Sequence, residues 1–553
     1  MKSPALVSVF VLIISLSALG TVHAGSATWN ANAVDNNWNN PANWTPATVP
    51  NGPNDVATFG GSNITALIVR TPIEVNSIVF DSGASPFKIN PNGHLITISG
   101  SGVVNSSGIT QNFVINTATT GFVYFKGSAT AGDLVQYTQS GGLPIASQNL
   151  ISFFDNSTAG TSTFIVNGGL DAANQFGGIL SFWDNSSADN STIMANGGGE
   201  RTNGGNVYFN GTSTASHARI FANGATETNG SGGFVLFEFA TTTADQAVIT
   251  AGGSDVGGAG SVSFQDSATA GNATLIAEPG QNAGGGIGFS FLGNPTGGTA
   301  KINLVGNGTL TSAPDSVEIG SLEGDGSVTL GFLTGANLSV GTNNLSTIFS
   351  GLIQQYSGSA ISTLTKIGSG MLKLSGANTY KGGTTVSEGG LVINNTTGSG
   401  TGTGAVQVNG GVLAGSGTIA GPVTVGTGFG TGAFLSPGMG ASTATTLTIQ
   451  SALTFKADGI FTCRLNTKKT KADQVIANGV TIESGAQFAF KVTGDDQLRT
   501  GKSATVISNT AATPISGTFA NLPDGSIFTV GQNAFQVSYS GGDGNDLTLT
   551  VVP

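Results

Sequence analysis

Short apolar runs of three to five residues, rich in β-branched and aromatic side chains, alternate with glycine-rich segments along most of the chain. Residues 207–209 and 234–237 are typical runs, and residues 197–199 are a typical glycine segment. Runs of this kind between glycine turns are typical of β-strands, and no window shows helical spacing of apolar residues over the length of a helix. The pattern predicts an all-β protein.

The central part of the chain repeats itself, and copies aligned on one alanine lie 28, 29, 27, 29 and 26 residues apart. A period of this size is typical of repeat architectures, whose units bury their apolar faces only by stacking. Two or three strands of about 5 residues, joined by glycine turns, fill one such coil. The aligned alanines are Ala131, Ala159, Ala188, Ala215, Ala244 and Ala270; the aromatics upstream are Phe125, Phe154, Trp183, Phe209, Phe239 and Phe264, and the aliphatics downstream of the later five are Ile165, Ile193, Ile220, Ile249 and Ile276.

Stacking of these copies predicts a β-solenoid in which the aromatic residues form an internal ladder, with about 4.8 Å between coils. About 20 coils would make a rod roughly 90 Å long. Exposed strand edges pair readily with other chains, so we expect a cap at both ends. Trp29, Trp38 and Trp44 lie close together among prolines and predict the N-terminal cap. An exposed aromatic platform for sugars is the alternative interpretation of these three residues.

The first 24 residues have the features of a secretory signal peptide. Lys2 precedes an apolar run over residues 5–19, and small residues flank a predicted cleavage point after Ala24. The run is short for a membrane span, and no later segment offers about 20 apolar residues in succession. We therefore expect a secreted or cell-surface protein with no membrane-spanning segment in the mature chain.

Charge and cysteine content narrow the function classes. The formal net charge is −11, with 18 basic and 29 acidic residues, and removal of residues 1–24 takes away one lysine, which gives −12. An acidic chain is a poor partner for nucleic acid. Charged residues make up only 8% of the chain, so Ser, Thr and Asn must cover much of its surface. Cys463 is the only cysteine, which excludes an intramolecular disulfide.

Residues 364–386, with the sequence LTKIGSGMLKLSGANTYKGGTTV, closely resemble the autotransporter-associated β-strand repeat, also called the passenger-associated transport repeat. The likeness continues at residues 389–391, 406–411, 415–419 and 435–438. The resemblance implies a right-handed parallel β-helix of pectin-lyase-like architecture with capped ends, at the cell surface or outside the cell, linked to adhesion or surface display. The motif carries no catalytic residues.

The sequence ends at residue 553 without the many alternating strands, each of about 10 residues, of a translocator barrel. We therefore expect a passenger-like chain that lacks the C-terminal translocator, and the route across an outer membrane stays open. The predicted organisation is a signal peptide (1–24), a Trp-rich N-terminal cap (25–62), a solenoid of Phe/Ala repeats (63–361), autotransporter-associated repeats (362–440) and a C-terminal β segment (441–553).

A column of aspartates raises the question of catalysis, because β-helices also host polysaccharide lyases and hydrolases. Asp155, Asp184 and Asp266 share one column of the alignment, and Asp189 and Asp245 share another. Stacked carboxylates about 5 Å apart would suit a retaining glycosidase. The alternative is that these aspartates end strands and bond backbone in Asx turns. A lyase also needs a basic group, and residues 120–300 offer only Lys126, Arg201 and Arg219.

Two further constellations are weak. His217 with Ser213 and an aspartate of an adjacent coil would make a triad only if the histidine lay between them, and its alignment column holds solvated polar residues. Residues 541–546, with Asp543 and Asp546, resemble half of a calcium-binding nonapeptide, but they occur once, and a glycine turn is the simpler interpretation.

The sequence thus predicts no catalytic, cofactor-binding or metal-binding residue. We expect a non-catalytic structural or adhesive β-helix whose Thr, Asn and Ser faces bind polysaccharide or other cell-surface ligands through many weak contacts. Two alternatives stay open: a polysaccharide-degrading lyase or glycoside hydrolase, and an extracellular matrix protein that associates end to end.

Overall fold

The computed structural model confirms an all-β chain. The described residues are 25–116, 120–141, 149–171, 175–332, 334–357, 361–430, 432–439, 441, 443–468, 471–494 and 496–553, without the side chain of Phe291. The predicted signal peptide, residues 1–24, lies outside them and stays a prediction. Within these ranges the only helical element is the short 3₁₀ turn Pro41–Asn43. No helix in this part of the chain has the length and apolar character that crossing a membrane requires.

Most strands belong to two long ladders, in which only the pairs made by Trp44–Thr45 and Lys471–Ala472 are antiparallel. The first sheet contains Trp44–Thr45, Ala27–Trp29, Gly52–Phe59, Ile73–Phe80, Leu95–Asn105, Phe122–Phe125, Leu150–Phe153, Ile179–Phe182, Asn206–Phe209, Phe234–Phe237, Ser261–Asp266, Gly286–Gly293, Thr309–Ser312, Ser327–Leu330 and Leu352–Gln355. The second sheet contains Ala66–Ile68, Lys88–Asn90, Gln111–Ile115, Val135–Gln139, Thr163–Val166, Thr192–Ala195, Arg219–Ala222, Val248–Ala251, Thr274–Ala277, Lys301–Leu304, Ser321–Gly324, Thr347–Phe349, Met371–Leu374, Gly390–Ile393, Gly411–Gly415, Ala433–Ser436, Gly459–Asn466, Lys471–Ala472 and Gln487–Thr493.

Two shorter sheets belong to the C-terminal half. The third sheet contains Ser316–Ile319, Asn337–Val340, Thr363–Lys366, Thr384–Val386, Val406–Val408, Val423–Val425, Leu453–Phe455 and Val480–Ile482, all parallel. The fourth sheet contains Thr418–Ile419, Thr446–Ile449, Gln474–Ala477, Ser503–Asn509, Asp546–Val552, Asn533–Gly541 and Ile527–Val530, and its last three strands are antiparallel.

The sheets form the faces of one parallel β-solenoid. On the third face of the central coils, strands shrink to single bridged residues, one per coil, at positions 102, 130, 158, 187, 214, 243, 269 and 296. Their spacing from 130 to 269 equals that of the aligned alanines, which confirms that one repeat is one coil. The second sheet provides 18 parallel strands, 19 less the antiparallel one. At about 4.8 Å per step, they span about 80 Å, slightly less than predicted.

An internal stack of phenylalanines runs through the central coils, but its members differ from the prediction. The stacked rings are Phe125, Phe153, Phe182, Phe209, Phe237, Phe264 and Phe289, with centroids 4.5–5.3 Å apart. The predicted Phe154, Trp183 and Phe239 lie outside this stack. Phe154 and Trp183 each directly follow the inward phenylalanine of their strand, and Phe239 lies two residues beyond the end of Phe234–Phe237.

The same one-residue error affects the aliphatic column. The buried, mutually paired residues are Phe164, Ile193, Ile220, Ile249 and Leu275, whereas the predicted Ile165 and Ile276 are half-buried on the outer face. The six aligned alanines are all fully buried. Side chains of a strand alternate between faces, so a shift of one residue exchanges inside and outside.

Backbone with positive φ recurs at fixed turns of the central coils. The position after each aligned alanine has φ between +49° and +93°, and it is occupied by Gly132, Gly160, Asp189, Ser216, Asp245 and Gly271. Asp, like Asn, tolerates this left-handed conformation better than most non-glycine residues. This requirement explains why aspartate and glycine exchange with each other along the column.

Both ends of the rod are covered. Trp29, Trp38 and Trp44 pack around Phe59 and are 1%, 0% and 2% exposed, so they form a buried cap and the platform interpretation is wrong. At the other end, the hairpin of Asn533–Gly541 and Asp546–Val552 replaces parallel stacking by antiparallel pairing. Antiparallel strands that fold back end the parallel ladder.

A buried lysine holds the turn after Thr363–Lys366. The Nζ of Lys366 donates to the carbonyl oxygens of Ile367, Gly368 and Glu388 at 2.6, 2.8 and 3.4 Å, and the residue is 1% exposed. Burial lowers the pKa of Lys366 to about 8, against a smaller opposite effect of Glu388. The lysine thus links two adjacent coils through their backbone carbonyls.

Candidate functional site: an aromatic groove on the first sheet

The aspartate column serves the backbone. Oδ2 of Asp155 accepts the N–H of Gly127 in the preceding coil at 2.9 Å, and Oδ2 of Asp184 accepts the N–H of Asp155 at 3.1 Å. Asp266 does the same for Phe239 at 3.0 Å. The partners belong to the neighbouring coil rather than to the residue's own Asx turn. These carboxylates hold coils together.

Among the described residues, no basic side chain forms an ion pair with these carboxylates, although Lys126 follows a strand of the first sheet as they do. Arg219 lies in a strand of the second sheet, whereas Asp155 and Asp184 follow strands of the first sheet. His217 is exposed, and its Nδ1 lies 3.1 Å from the hydroxyl of Ser216. Ser213 is fully buried. The triad drawn from Ser213 and His217 therefore does not form, because one side chain points into the core and the other into solvent.

The C-terminal glycine turn is also structural. Oδ1 of Asp546 accepts the N–H of Asn509 at 2.9 Å, and Asp546 is largely buried. Among the described residues, no three His, Cys, Asp or Glu side chains come together in a way that could hold a metal ion. Cys463 is buried in Gly459–Asn466, and burial raises the pKa of its thiol.

The hydroxyls expected to form binding faces are partly committed to the fold. On the bridged third face, the Oγ1 atoms of Thr130, Thr214 and Thr243 each accept the backbone N–H two residues ahead, at 2.9–3.2 Å. Such bonds fix the turn that contains the left-handed residue. This face therefore offers fewer free hydroxyls than its composition suggests.

A different surface stands out on the outer face of the first sheet. Five aromatic side chains, which we call the aromatic face, project there from successive coils: Tyr124, Phe154, Trp183, Tyr208 and Phe234. Trp183 is 40% exposed and the other four are half-buried. The ring of Tyr124 meets that of Phe154 edge-on at 5.4 Å, and Tyr208 meets Phe234 edge-on at 6.5 Å.

Four residues of the aromatic face, Tyr124, Phe154, Trp183 and Tyr208, line an open groove of about 450 Å³. Its floor includes Ser152 and Ser181, whose hydroxyls are 2.8 Å apart, and the Trp183 Nε1–H donates to the Ser181 hydroxyl at 3.1 Å. This bond fixes the indole ring. At one end lies Glu238, whose pKa is raised by partial burial and by nearby Asp266. The groove combines a large apolar area with a few placed polar groups, as ligand sites commonly do.

A second groove of about 560 Å³ continues the first, and Tyr208 lines both. Its other wall is a stack of glycine-rich loops, residues 196–205, 223–233 and 252–260, which we call the glycine flange. In each loop the two ends are tied by a backbone bond, such as the Gly205 N–H to the Asn196 oxygen at 2.7 Å. Asn203, Asn206 and Ser231 line this groove with polar side chains.

Sequence reasoning missed this site. It placed Phe154 and Trp183 in the internal ladder, and it did not single out Tyr124, Tyr208 or Phe234. The available signal was the alternation within each strand: in residues 206–209 and 122–125, a second aromatic stands one position before the buried phenylalanine, so it must face outward.

A family model for the passenger-associated-transport-repeat matches residues 364–393. The chain carries a passenger-associated transport repeat. This repeat includes the buried Lys366 and the strands Met371–Leu374, Thr384–Val386 and Gly390–Ile393. It thus forms about one coil and the start of the next, within the same stack as the aromatic coils.

No curated protein matches the chain in sequence. Among solved structures, the crystal structure of the Haemophilus influenzae Hap adhesin is similar, with 13% identity and a TM-score of 0.29. The alignment covers 90% of this chain and 59% of that one. The chain therefore spans less than two thirds of the length of that protein.

Proposed function

We propose that the chain is an exported, non-catalytic adhesive rod, at the cell surface or outside the cell, that binds a polysaccharide chain along the aromatic face. The observation that carries this proposal is a series of outward aromatic side chains, one from each of five successive coils, of which four line the first groove and Phe234 lines the second. The passenger-associated transport repeat supports a place outside the cytoplasm.

The physical basis is stacking of sugar rings on aromatic rings. The faces of a pyranose carry C–H groups, which pack on the electron-rich face of Trp or Tyr, while the sugar hydroxyls at its edge reach polar groups. Asn206 and Ser231 offer such polar groups along the second groove. Each contact is weak, and a polymer that occupies several coils at once gains affinity through multivalency.

Charge favours a neutral polysaccharide. Residues 121–300 contain 12 acidic and 3 basic residues, a net charge of −9. Glu238 adds a carboxyl group to the groove itself. Polyuronates and sulfated glycans, which are negatively charged, are therefore repelled from this part of the rod, and no attraction between opposite charges guides them to it.

The test is retention of the purified chain on immobilised polysaccharides, with product release assayed in parallel. We expect retention on a neutral polysaccharide without soluble products, and a loss of at least tenfold in affinity for Trp183→Ala and for Tyr208→Ala. Phe239→Ala is the matched control, because Phe239 is 53% exposed but does not line either groove. Release of reducing-end or unsaturated products would overturn the non-catalytic assignment, and unchanged retention in both groove variants would overturn the site.

A further inference from the structure

A second apolar surface lies on the outer face of the second sheet, far along the chain from the aromatic face. We call it the second-sheet patch. Its outward side chains belong to two adjacent register columns of the sheet. One column contains Met371, Val412, Phe434 and Ile460, and the other contains Ile348 and Val392. Ile348 and Met371 are exposed, and the other four are half-buried. Lys373 stands between Ile348 and Val392, and Gly390 stands between Met371 and Val412, so one lysine and one glycine interrupt the patch. An exposed group of apolar side chains of this kind marks an interaction surface.

The patch contains a groove of about 360 Å³. Ile348, Met371 and Val392 form one part of its lining, and Pro437 and Met439 form another. Methionine side chains adapt their shape and make favourable contacts with aromatic rings. Lys373 is the only charged residue among those that line the groove. The groove therefore suits an aromatic side chain accompanied by a negative charge.

A protruding aromatic residue stands beside the same patch. The loop formed by residues 426–430, which we call the finger, carries Phe429 with its side chain 100% exposed. The finger leads into Ala433–Ser436, the strand that contributes Phe434 to the patch. A Cβ added to Gly432 would lie 3.6 Å from the Phe434 ring, which places the end of this loop against the patch.

The finger is held rigidly by one carboxylate. Asp458 accepts the backbone N–H groups of Thr427, Gly428 and Gly430 at 3.1, 2.6 and 2.9 Å. Partial burial raises the pKa of Asp458, but these bonds outweigh that effect and leave the pKa below its ordinary value. The carboxylate is ionised at neutral pH. Because the loop is already ordered, docking of Phe429 loses little conformational entropy.

We propose that the second-sheet patch joins two copies of this chain side by side, with Phe429 of each copy in the groove of the other. The finger and the groove lie on one face of the chain. A two-fold axis between them therefore brings the finger of each copy to the groove of the other, which makes the surface self-complementary. The charges also match: ionised Asp458 at the base of the finger approaches Lys373 of the facing groove. The contact is isologous, so it closes at two copies.

The pairing is independent of the proposed glycan binding and leaves the aromatic faces free, because these lie on the first sheet. The patch covers six successive strands of the second sheet and is one strand wide, which is smaller than the roughly 800 Å² per partner of standard interfaces. We therefore expect a dissociation constant on the order of 10⁻⁵ M. A pair of rods would present two glycan grooves and so bind a polymer with higher avidity.

The test is sedimentation equilibrium of the purified chain between about 1 µM and about 200 µM, a range that brackets the expected dissociation constant. Phe429→Ser removes the finger, and Met371→Asp places a charge in the groove at an exposed position. Each variant should weaken pairing at least tenfold, whereas Phe239→Ser, which changes another exposed phenylalanine far from the patch, should leave it unchanged.

A mixture of the two variants separates a specific contact from a folding defect. In a mixed pair, the intact finger of Met371→Asp faces the intact groove of Phe429→Ser, so one of two contacts is restored. We expect the mixture to pair more tightly than either variant alone. A monomer throughout the concentration range, pairing that survives Phe429→Ser, a mixture no tighter than the single variants, or growth beyond two copies would each overturn the proposal.

Discussion

Single side chains join neighbouring coils of this rod at positions where the backbone leaves its ordinary conformation. Asp155 and Asp184 have φ values of +57° and +54°, and each directs a carboxylate oxygen to the N–H of the preceding coil. Lys366 does the reverse, with an ammonium group shared among carbonyl oxygens of two coils. These hydrogen bonds join neighbouring coils, and they engage the carboxylates of the column with backbone N–H groups.

Substitutions of Asp184 distinguish a structural from a catalytic carboxylate. Asp184→Ala loses the hydrogen bond to the Asp155 N–H and puts alanine in the left-handed region, which should destabilise the chain by about 1–3 kcal/mol. Asp184→Asn keeps an acceptor oxygen and tolerates the same φ, so its denaturation midpoint should stay close to the original. If the carboxylate were catalytic, Asp184→Asn would instead abolish enzymatic activity, even in a chain as stable as the original.

Lys366→Met should destabilise the chain by about 1–3 kcal/mol at pH 7, because three carbonyl oxygens in partly buried hydrogen bonds lose their donor. Denaturation midpoints of the variant and the original chain measure this difference. A variant as stable as the original would show that the carbonyl oxygens find other donors, and that the lysine does not hold the turn.

The pH dependence of Lys366 has a definite sign. Its pKa in the folded chain is about 8, below the ordinary 10.5, so between these values the unfolded chain binds more protons than the folded one. Stability contributed by this residue should therefore rise as the pH increases from about 8 to about 10.5. The gap between the original chain and Lys366→Met, measured by denaturation at several pH values, should widen over that window. A gap that narrows would contradict the assignment.

The repeating column of aromatic residues could be predicted from the sequence, but not which residue of each strand points into the core. Phe153 and Phe154 are adjacent phenylalanines, and alignment on the downstream alanine selected the second, whereas the strand Leu150–Phe153 buries the first. Composition is equal at the two positions, so only the exact start of the strand decides which ring enters the core. Turn geometry sets that start, and the sequence does not reveal it to within one residue.

At the scale of strands and loops, the glycine flange forms because each loop approaches the backbone of the preceding coil. A Cβ on Gly205 or Gly233 would lie 2.0 or 1.9 Å from the carbonyl oxygen of Val166 or Ala195. Backbone that close leaves room for hydrogen alone. The glycine-rich segments, interpreted from the sequence as turns between copies, therefore also build one wall of the second groove.

Gly233→Ala should disrupt the flange and destabilise the chain by roughly 3 kcal/mol or more, since the clash is with backbone that must move. Gly60→Ala is the matched control, because an added Cβ there meets nothing within 4 Å and the φ is not left-handed. Denaturation midpoints of the two variants give the comparison. Equal midpoints would show that the flange is not packed as described.

At the scale of the whole molecule, repetition made the fold predictable. A nearly constant spacing of alanines, 26–29 residues, predicted the coil length and about 20 coils, close to the 18 parallel strands of the second sheet. The grooves were not predictable from the sequence. Each groove is lined by outward side chains of several coils, and which of these lie side by side is known only once the register between the strands is known. The second-sheet patch shows the same limit, since its column runs from Met371 to Ile460.

The acidic character of the central coils gives a prediction for ligand choice. Retention on a polyuronate should be weaker than on a neutral polysaccharide of the same length at low salt, because the coils carry a net charge of −9 over residues 121–300. Raising the ionic strength to about 0.5 M should narrow the difference by screening, while retention on the neutral polymer stays nearly constant. Tighter retention on the polyuronate would exclude the neutral ligand class.

The central proposal is contact between a glycan and the aromatic face, and the fluorescence of Trp183 can report on this contact. Of its four tryptophans, three are buried in the N-terminal cap and only Trp183 is exposed. The most direct measurement is a titration of the purified chain with a soluble neutral oligosaccharide, followed by tryptophan fluorescence, with Trp183→Phe as the blank. We expect a saturable change in tryptophan fluorescence that is present in the original chain, absent in Trp183→Phe and weakened in Tyr208→Ala. Retention on the polysaccharide with no change in Trp183 emission would contradict the proposal, because the glycan would then bind elsewhere on the rod.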